Sequence, residues 1–380
     1  MTPQTVFYII IGILTVSFLI DKWLDALNAK HFSDPLPEEV KDVYDTEAYQ
    51  KSQKYNAEKY RFGLVTSTIT FVATVLFLFF DGFAYVDQWA RNFSDSPIWI
   101  ALIFFGILVF ATDILSLPFS YYNTFVIEEK YGFNTTNTVT FFLDKLKGWA
   151  MMATIGGGLL ALIIWFYQTT GPNFWLYAWG LVTCFTIFMN LFYARLIVPL
   201  FNTQTPLEAG SLRDKIDAYA AAVNFNISKI FVIDGSKRST KANAYFSGFG
   251  REKRITLYDT LLNNLEEEEV VAVLAHEVGH YKKQHIIFNL ITSILLTGFT
   301  FWLLSFFINS DVLSAALGVS TPSFHIGLVA FGLLYSPISE LTGLGMNYLS
   351  RKFEYQADAY AKQTYDAAPL ISALKRLSNT

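Results

Sequence analysis

Seven apolar runs decide what this chain can fold into. They lie near residues 5–23, 62–80, 97–118, 149–167, 175–200, 286–308 and 324–347. Crossing the hydrocarbon core as a helix takes about 20 residues, and each run is close to that length. Hydrophobic residues make up 53% of the chain and charged residues 16%, which places it among integral membrane proteins. The first run has no basic leading region and no small-residue cleavage site, and it ends in Ile20-Asp21-Lys22-Trp23. It therefore reads as a retained span and not as a signal peptide. The expected fold is an all-α polytopic membrane protein of seven transmembrane helices.

Loop charge orients the spans. Six positive residues, from Lys30 to Arg61, separate the first two runs. The next loop carries only Arg91, and the third carries Lys130, Lys145 and Lys147. The fourth and sixth loops carry none, while the fifth, about 201–285, carries eleven. The tail holds Arg351, Lys352, Lys362, Lys375 and Arg376. By the positive-inside rule the N-terminus is outside or lumenal and the C-terminus is cytosolic. The membrane is then the bacterial inner membrane or the endoplasmic reticulum. The one cysteine, Cys184, lies in the fifth run, so no intramolecular disulfide forms. A net charge of −4 without a basic block excludes a nucleic-acid partner.

Residues 276–280 read His276-Glu277-Val278-Gly279-His280. This is the H-E-x-x-H pattern of zinc hydrolases. On a helix, positions i and i+4 share a face, so His276 and His280 can bind one Zn²⁺. Glu277 can then act as base on a water at the metal. With five histidines in 380 residues, a chance match is expected roughly a few times in a thousand. Val270, Val273, Leu274 and Val278 would bury much of this helix, which argues against two merely solvated histidines.

Residues 202–285 form the longest segment outside the membrane and read as a small α+β domain of zincin type. A helical pattern opens at Pro206 and carries Leu212, Ile216, Tyr219 and Val223. Strands are expected at 229–233, 243–249 and 255–258, with a turn at Gly248 and Gly250. A helix follows from Asp259 and the motif helix from Leu265. The glutamates at 266–269 suit its N-terminus. An edge strand of the sheet could hold an extended peptide by main-chain hydrogen bonds. The chain divides into a five-span membrane domain, 1–201, and a metalloprotease domain, 202–380, which includes the last two spans.

A catalytic zinc usually takes three protein ligands. Glu354 and Asp358 are again i and i+4, just past the seventh span. Glu354 can complete the metal site. Asp358 can accept a hydrogen bond from the non-ligating nitrogen of His276 and fix its tautomer. The remaining histidines read as peripheral: His285 at the interface before span six, His325 at the far end of span seven, His31 in a loop.

With these residues in place, the sequence resembles the membrane-integral type I CAAX prenyl endopeptidases. The similarity extends through 117–134, 199–208, 231–261 and 354–361, and it spans about residues 50 to 365. It implies a helical barrel around a water-filled chamber, with one Zn²⁺ per chain near the cytosolic face. It implies His276, His280 and Glu354 as ligands and Glu277 as general base. It also places Asn243 and Ala244 on the strand that pairs with substrate. That family continues into a C-terminal helix with an H-x-H-P motif, which does not occur before Thr380. No side chain is assigned to oxyanion stabilisation.

The expected function is zinc-dependent hydrolysis of a peptide bond near the end of a protein or peptide, prenylated or not. The rivals are a quality-control protease without prenyl specificity, a transporter, and a silent scaffold. A transporter leaves the zinc constellation unexplained, and a structural site does not need Glu277. Asp113, Arg195 and Glu340 fall near the cytosolic ends of their spans. Asp113 and Glu340 are expected to line a wet cavity next to the metal, because a charge at that depth faces protein or water.

Overall fold

The computed structural model describes residues 1–36, 46–227, 229–248 and 253–378. Gly250, Phe249, Lys41 and Arg251, which entered the turn, strand and charge expectations, lie outside those residues. The membrane part is helical: α1 (Pro3–Ala29), α2 (Thr46–Phe79), α3 (Pro97–Tyr122), α4 (Gly157–Thr170) and α5 (Phe174–Leu196). Large apolar side chains on these helices are exposed, among them Leu115 and Trp165. A water-soluble chain would bury them; a bilayer solvates them.

Six helical segments are long and apolar enough to cross a membrane, against seven runs in the sequence. The difference lies in Thr138–Phe201, which forms one 64-residue segment and holds two of the runs. Inside it, one 3₁₀ turn at Gly171–Asn173 separates α4 from α5, and these two helices pack on each other.

The segment after α5 builds a lobe around a four-stranded sheet backed by helices. Its strands are β1 (Gln204–Pro206), β2 (Ile230–Ile233), β3 (Ala244–Ser247) and β4 (Arg254–Tyr258), in spatial order β1-β2-β4-β3. β2 and β4 are parallel and the outer pairings antiparallel. Pro206, expected to open a helix, instead ends β1, and α6 begins at Ser211 and runs to Ala222. Its ring forbids a ladder donor, which an edge strand tolerates.

α7 (Glu267–Lys282) carries the motif. Ile255 and Leu257 of β4, Ile216 of α6 and Val271, Leu274 and Val278 of α7 form one core. Burying each such side chain contributes about 1.5–3 kcal/mol, so α7 is held as a rigid platform. α8 (His285–Phe307) and α9 (Phe324–Thr364) follow, then α10 (Ala367–Ser378). At 41 residues, α9 is roughly 60 Å long. It is longer than a bilayer core is thick and enters the sheet lobe without a break, carrying 354–358 with it.

Residues of the membrane part clasp the sheet. Arg238 forms a two-pronged pair with Asp144 at 2.7 and 3.0 Å, and Thr135 N–H donates to the Arg238 carbonyl at 3.2 Å. Glu128 receives Tyr55, Lys59 and Lys241 at 2.7 to 3.2 Å. Lys241 lies just ahead of β3, so these contacts help to fix that strand.

Candidate active site

The motif helix is anchored at its start. Glu266 caps it, and the Glu269 carboxylate accepts the Glu266 backbone N–H at 2.8 Å. Lys215 pairs with Glu267 and Glu268 at 2.8 and 2.6 Å. Three turns on, α9 crosses it closely. A Cβ on Gly279 would lie 3.1 Å from the Ala357 Cα and carbonyl oxygen. Glycine therefore lets the two backbones approach, and Glu354, one turn before Ala357, lands opposite the histidines.

The resulting triangle is compact. His276 Nε2 and His280 Nε2 are 3.1 Å apart, and Glu354 Oε2 is 3.3 Å from the first and 3.6 Å from the second. All three offer lone pairs to one point, and together they could hold a metal ion. A tetrahedral zinc with bonds of about 2.0–2.1 Å would separate its donors by roughly 3.3 Å. The donor set therefore fits such an ion in chemistry and in size.

Each imidazole has a partner behind it. Asp358 Oδ1 lies 2.8 Å from His276 Nδ1. A carboxylate only accepts, so Nδ1 carries the proton and Nε2 keeps its lone pair. His280 Nδ1 faces His285 Nδ1 at 3.1 Å, and His285 Nε2 is 2.8 Å from Gln356 Oε1. His285 is not the interfacial residue expected from its position before span six. It is 3% exposed and stacks on Phe353 with ring centres 4.1 Å apart. Gln284, at φ 59°, turns the chain so that the histidine folds back under the site. Burial and the neighbouring imidazoles His276 and His285 lower the His280 pKa, and Glu354 opposes them. The neutral ring is the form a metal needs.

Glu277 sits beside this triangle, half-buried, and its carboxyl is pushed up to about 7. Burial is the main cause; Glu354 adds to it, while His276 and a hydrogen bond from the Phe246 backbone oppose it. That hydrogen bond ties the acid to β3. Asn243 accepts the Tyr258 N–H at 3.0 Å, so the ladder alternates through 243, 245 and 247. Ala244 and Phe246 turn their backbone groups to the open edge, where no described strand pairs. Of the two residues expected to meet substrate, Ala244 presents main-chain groups there and Asn243 spends its carbonyl on β4.

Among the described residues, Asp113 and Glu340, expected to line a wet cavity next to the metal, make no hydrogen bond or ion pair with the triangle of His276, His280 and Glu354. Asp113 is paired with Lys145 and accepts the Trp149 indole N–H, each at 2.7 Å. Glu340 is exposed. His325 is buried against Asp87 at 2.6 Å, and Arg91 braces the same carboxylate at 2.8 Å.

A polytopic helical membrane protein with an H-E-x-x-H helix, a third carboxylate on a crossing helix and a half-buried glutamate beside them is a membrane metalloendopeptidase. Residues 25–203 match the family model described as CAAX prenyl protease N-terminal, five membrane helices, and residues 206–378 match peptidase family M48. The chain belongs to the CAAX prenyl protease 1 family within peptidase family M48. It is 35% identical to the CAAX prenyl protease 1 homolog of Arabidopsis thaliana over 381 residues, covering 97% of this chain and 89% of that one. The human homolog is 33% identical, with 90% and 82% covered. The crystal structure of S. mikatae Ste24p superposes with a TM-score of 0.94 at 32% identity, over 98% of this chain and 92% of that one.

Proposed function

We propose that this enzyme is zinc-dependent and hydrolyses a peptide bond near the C-terminus of prenylated CAAX proteins. His276, His280 and Glu354 hold the ion and Glu277 is the base. The relatives' names support the substrate class, and the spacing of the three donor atoms supports the metal. A zinc ion at this site would supply an acidified water and polarise the scissile carbonyl. Glu277 then takes the water proton and passes it to the leaving amine. The observation that carries this reading is the position of Glu277, shared between the metal triangle and the open edge of β3. An extended substrate added at Ala244 would run past that carboxyl. The active site is reached through a chamber among seven spans, with the N-terminus outside, the lobe on the cytosolic side, and the division into membrane and protease domains near residue 202. The unbroken alternation of loop charge supports that orientation.

The test compares purified wild type with Glu277→Gln on a prenylated CAAX peptide and its unprenylated counterpart, with zinc content measured in both proteins. Wild type should carry one zinc and cleave the prenylated peptide faster. Glu277→Gln should keep the zinc and lose hydrolysis. Equal rates on the two peptides would remove the prenyl requirement, and activity surviving in Glu277→Gln would remove the base.

A further inference from the structure

We propose that the basic cavity at the C-terminal end of α5 binds the phosphate headgroup of an anionic lipid. The cavity holds about 480 Å³ and is lined by Lys147, Arg195, Lys237 and Arg254, with no acidic side chain in its wall. An adjoining cavity of about 310 Å³ shares Arg195 and Arg254. Asp144 takes the paired bonds of Arg238 and stands 4.0 Å from Lys147. Asp234 accepts from Asn202 Nδ2 and from the Thr203 N–H at 3.0 and 2.8 Å.

Among the described residues, Arg195, Lys237 and Arg254 have no acidic partner. Arg254 is the most telling of them. Its guanidinium lies 3.6 Å over the Phe231 ring, Nη1 donates to the Ala194 carbonyl at 2.9 Å, and its buried Nε has no hydrogen-bond partner. Burial lowers its pKa, and the charge of Arg195 does the same against an opposing effect of Tyr245. A guanidinium taken from water without an anion is costly. Four cations gathered around one cavity are the usual setting for a phosphate ester, which Arg recognises in a two-pronged geometry.

The surroundings favour a lipid over a free anion. Arg195 lies at the end of α5, where the apolar segment Thr138–Phe201 meets the sheet. Tyr193, Leu196 and Leu200 are each about half exposed beside it, and Phe188 continues that apolar surface along α5. A lipid would set its phosphate among the cations and lay an acyl chain along this face. Basic residues at this level of a membrane protein attract anionic headgroups. The site stands on the sheet face opposite the motif helix, since Ile255 and Leu257, on the other side of β4, pack against α7.

The experiment uses the full chain in neutral detergent. Phosphatidylglycerol, phosphatidylcholine and inorganic phosphate are titrated, and bound lipid is counted by native mass spectrometry. One phosphatidylglycerol should bind per chain at least tenfold more tightly than phosphatidylcholine. Arg195→Gln with Lys237→Gln should weaken it about tenfold with zinc content unchanged. Those two side chains carry no fold contact comparable to that of Arg254, so the pair remains testable if Arg254→Gln misfolds. Arg254→Lys should give an intermediate affinity. Equal binding of the two lipids, or unchanged binding in the double variant, would overturn the site. Inorganic phosphate competing as well as the lipid would assign the cavity to a soluble anion and overturn the lipid.

Discussion

His280 and His285 face each other Nδ1 to Nδ1 at 3.1 Å, and only one of those nitrogens can carry the proton between them. Gln356 decides which. Its carbonyl oxygen accepts from His285 Nε2 at 2.8 Å, so the His285 proton sits there and its Nδ1 is an acceptor. His280 must then donate from Nδ1 and keep a lone pair on Nε2, towards His276 and Glu354. Removing such a partner usually costs 10–100-fold in metal affinity. His285→Ala should therefore weaken zinc binding by about that factor, and Gln356→Leu by less. Chelator competition measures it. Unchanged affinity in His285→Ala would mean that the ring does not set the His280 tautomer.

Glu277 predicts how the metal-free protein responds to pH. Its carboxyl titrates near 7 in the fold against an ordinary 4.5. The folded state then binds a proton that the unfolded state releases, so stability falls as pH rises through that window. The loss is on the order of 2 kcal/mol, reduced by the partial exposure of the group. Thermal midpoints of zinc-free wild type and Glu277→Gln should diverge between about pH 5 and 7.5, with wild type losing more. Parallel curves would show that burial does not raise this acid.

Close approach at Gly279 is a condition for the third ligand. A methyl group there meets the Ala357 backbone at 3.1 Å and cannot be accommodated by a side-chain rotation. Gly279→Ala must push α9 outward by a few tenths of an ångström and move Glu354 with it. The helix gains intrinsic propensity of about 1 kcal/mol, while overpacking costs about 1–3 kcal/mol. The expected result is a retained helix, a lower thermal midpoint and zinc affinity reduced about tenfold. Wild-type affinity in this variant would show that Glu354 tolerates the shift.

Much of the site was legible because its spacing is local. His276, His280, Glu354 and Asp358 are pairs at i and i+4, and helical geometry alone puts each pair on one face. β2, β3 and β4 were legible from short apolar runs between turn residues. β1 was not, since three residues ending in Pro206 carry no alternation of their own and exist only by pairing with β2. His285 was missed for a related reason. Its role depends on a left-handed residue, Gln284, and on Gln356, 71 residues away; hydropathy saw only the start of a span. The Lys145 and Trp149 partners of Asp113 were not legible either, because depth in a membrane says that a charge needs a partner, but not which one.

The alternation of β3 gives a prediction that separates substrate pairing from folding. Asn243 and Tyr258 form a hydrogen-bonded pair, so the Ala244 N–H points to the open edge and holds nothing in the sheet. Ala244→Pro removes that donor and leaves every β3–β4 bond in place, as edge strands permit. Tyr245→Pro removes a donor inside the ladder. If an extended substrate pairs at this edge, Ala244→Pro should raise KM about tenfold, the upper range for one lost hydrogen bond. Its zinc content and thermal midpoint should stay near wild type. Tyr245→Pro should instead lower the midpoint. Steady-state kinetics and thermal scans of the two variants make the comparison. A KM unchanged in Ala244→Pro would place the substrate backbone elsewhere.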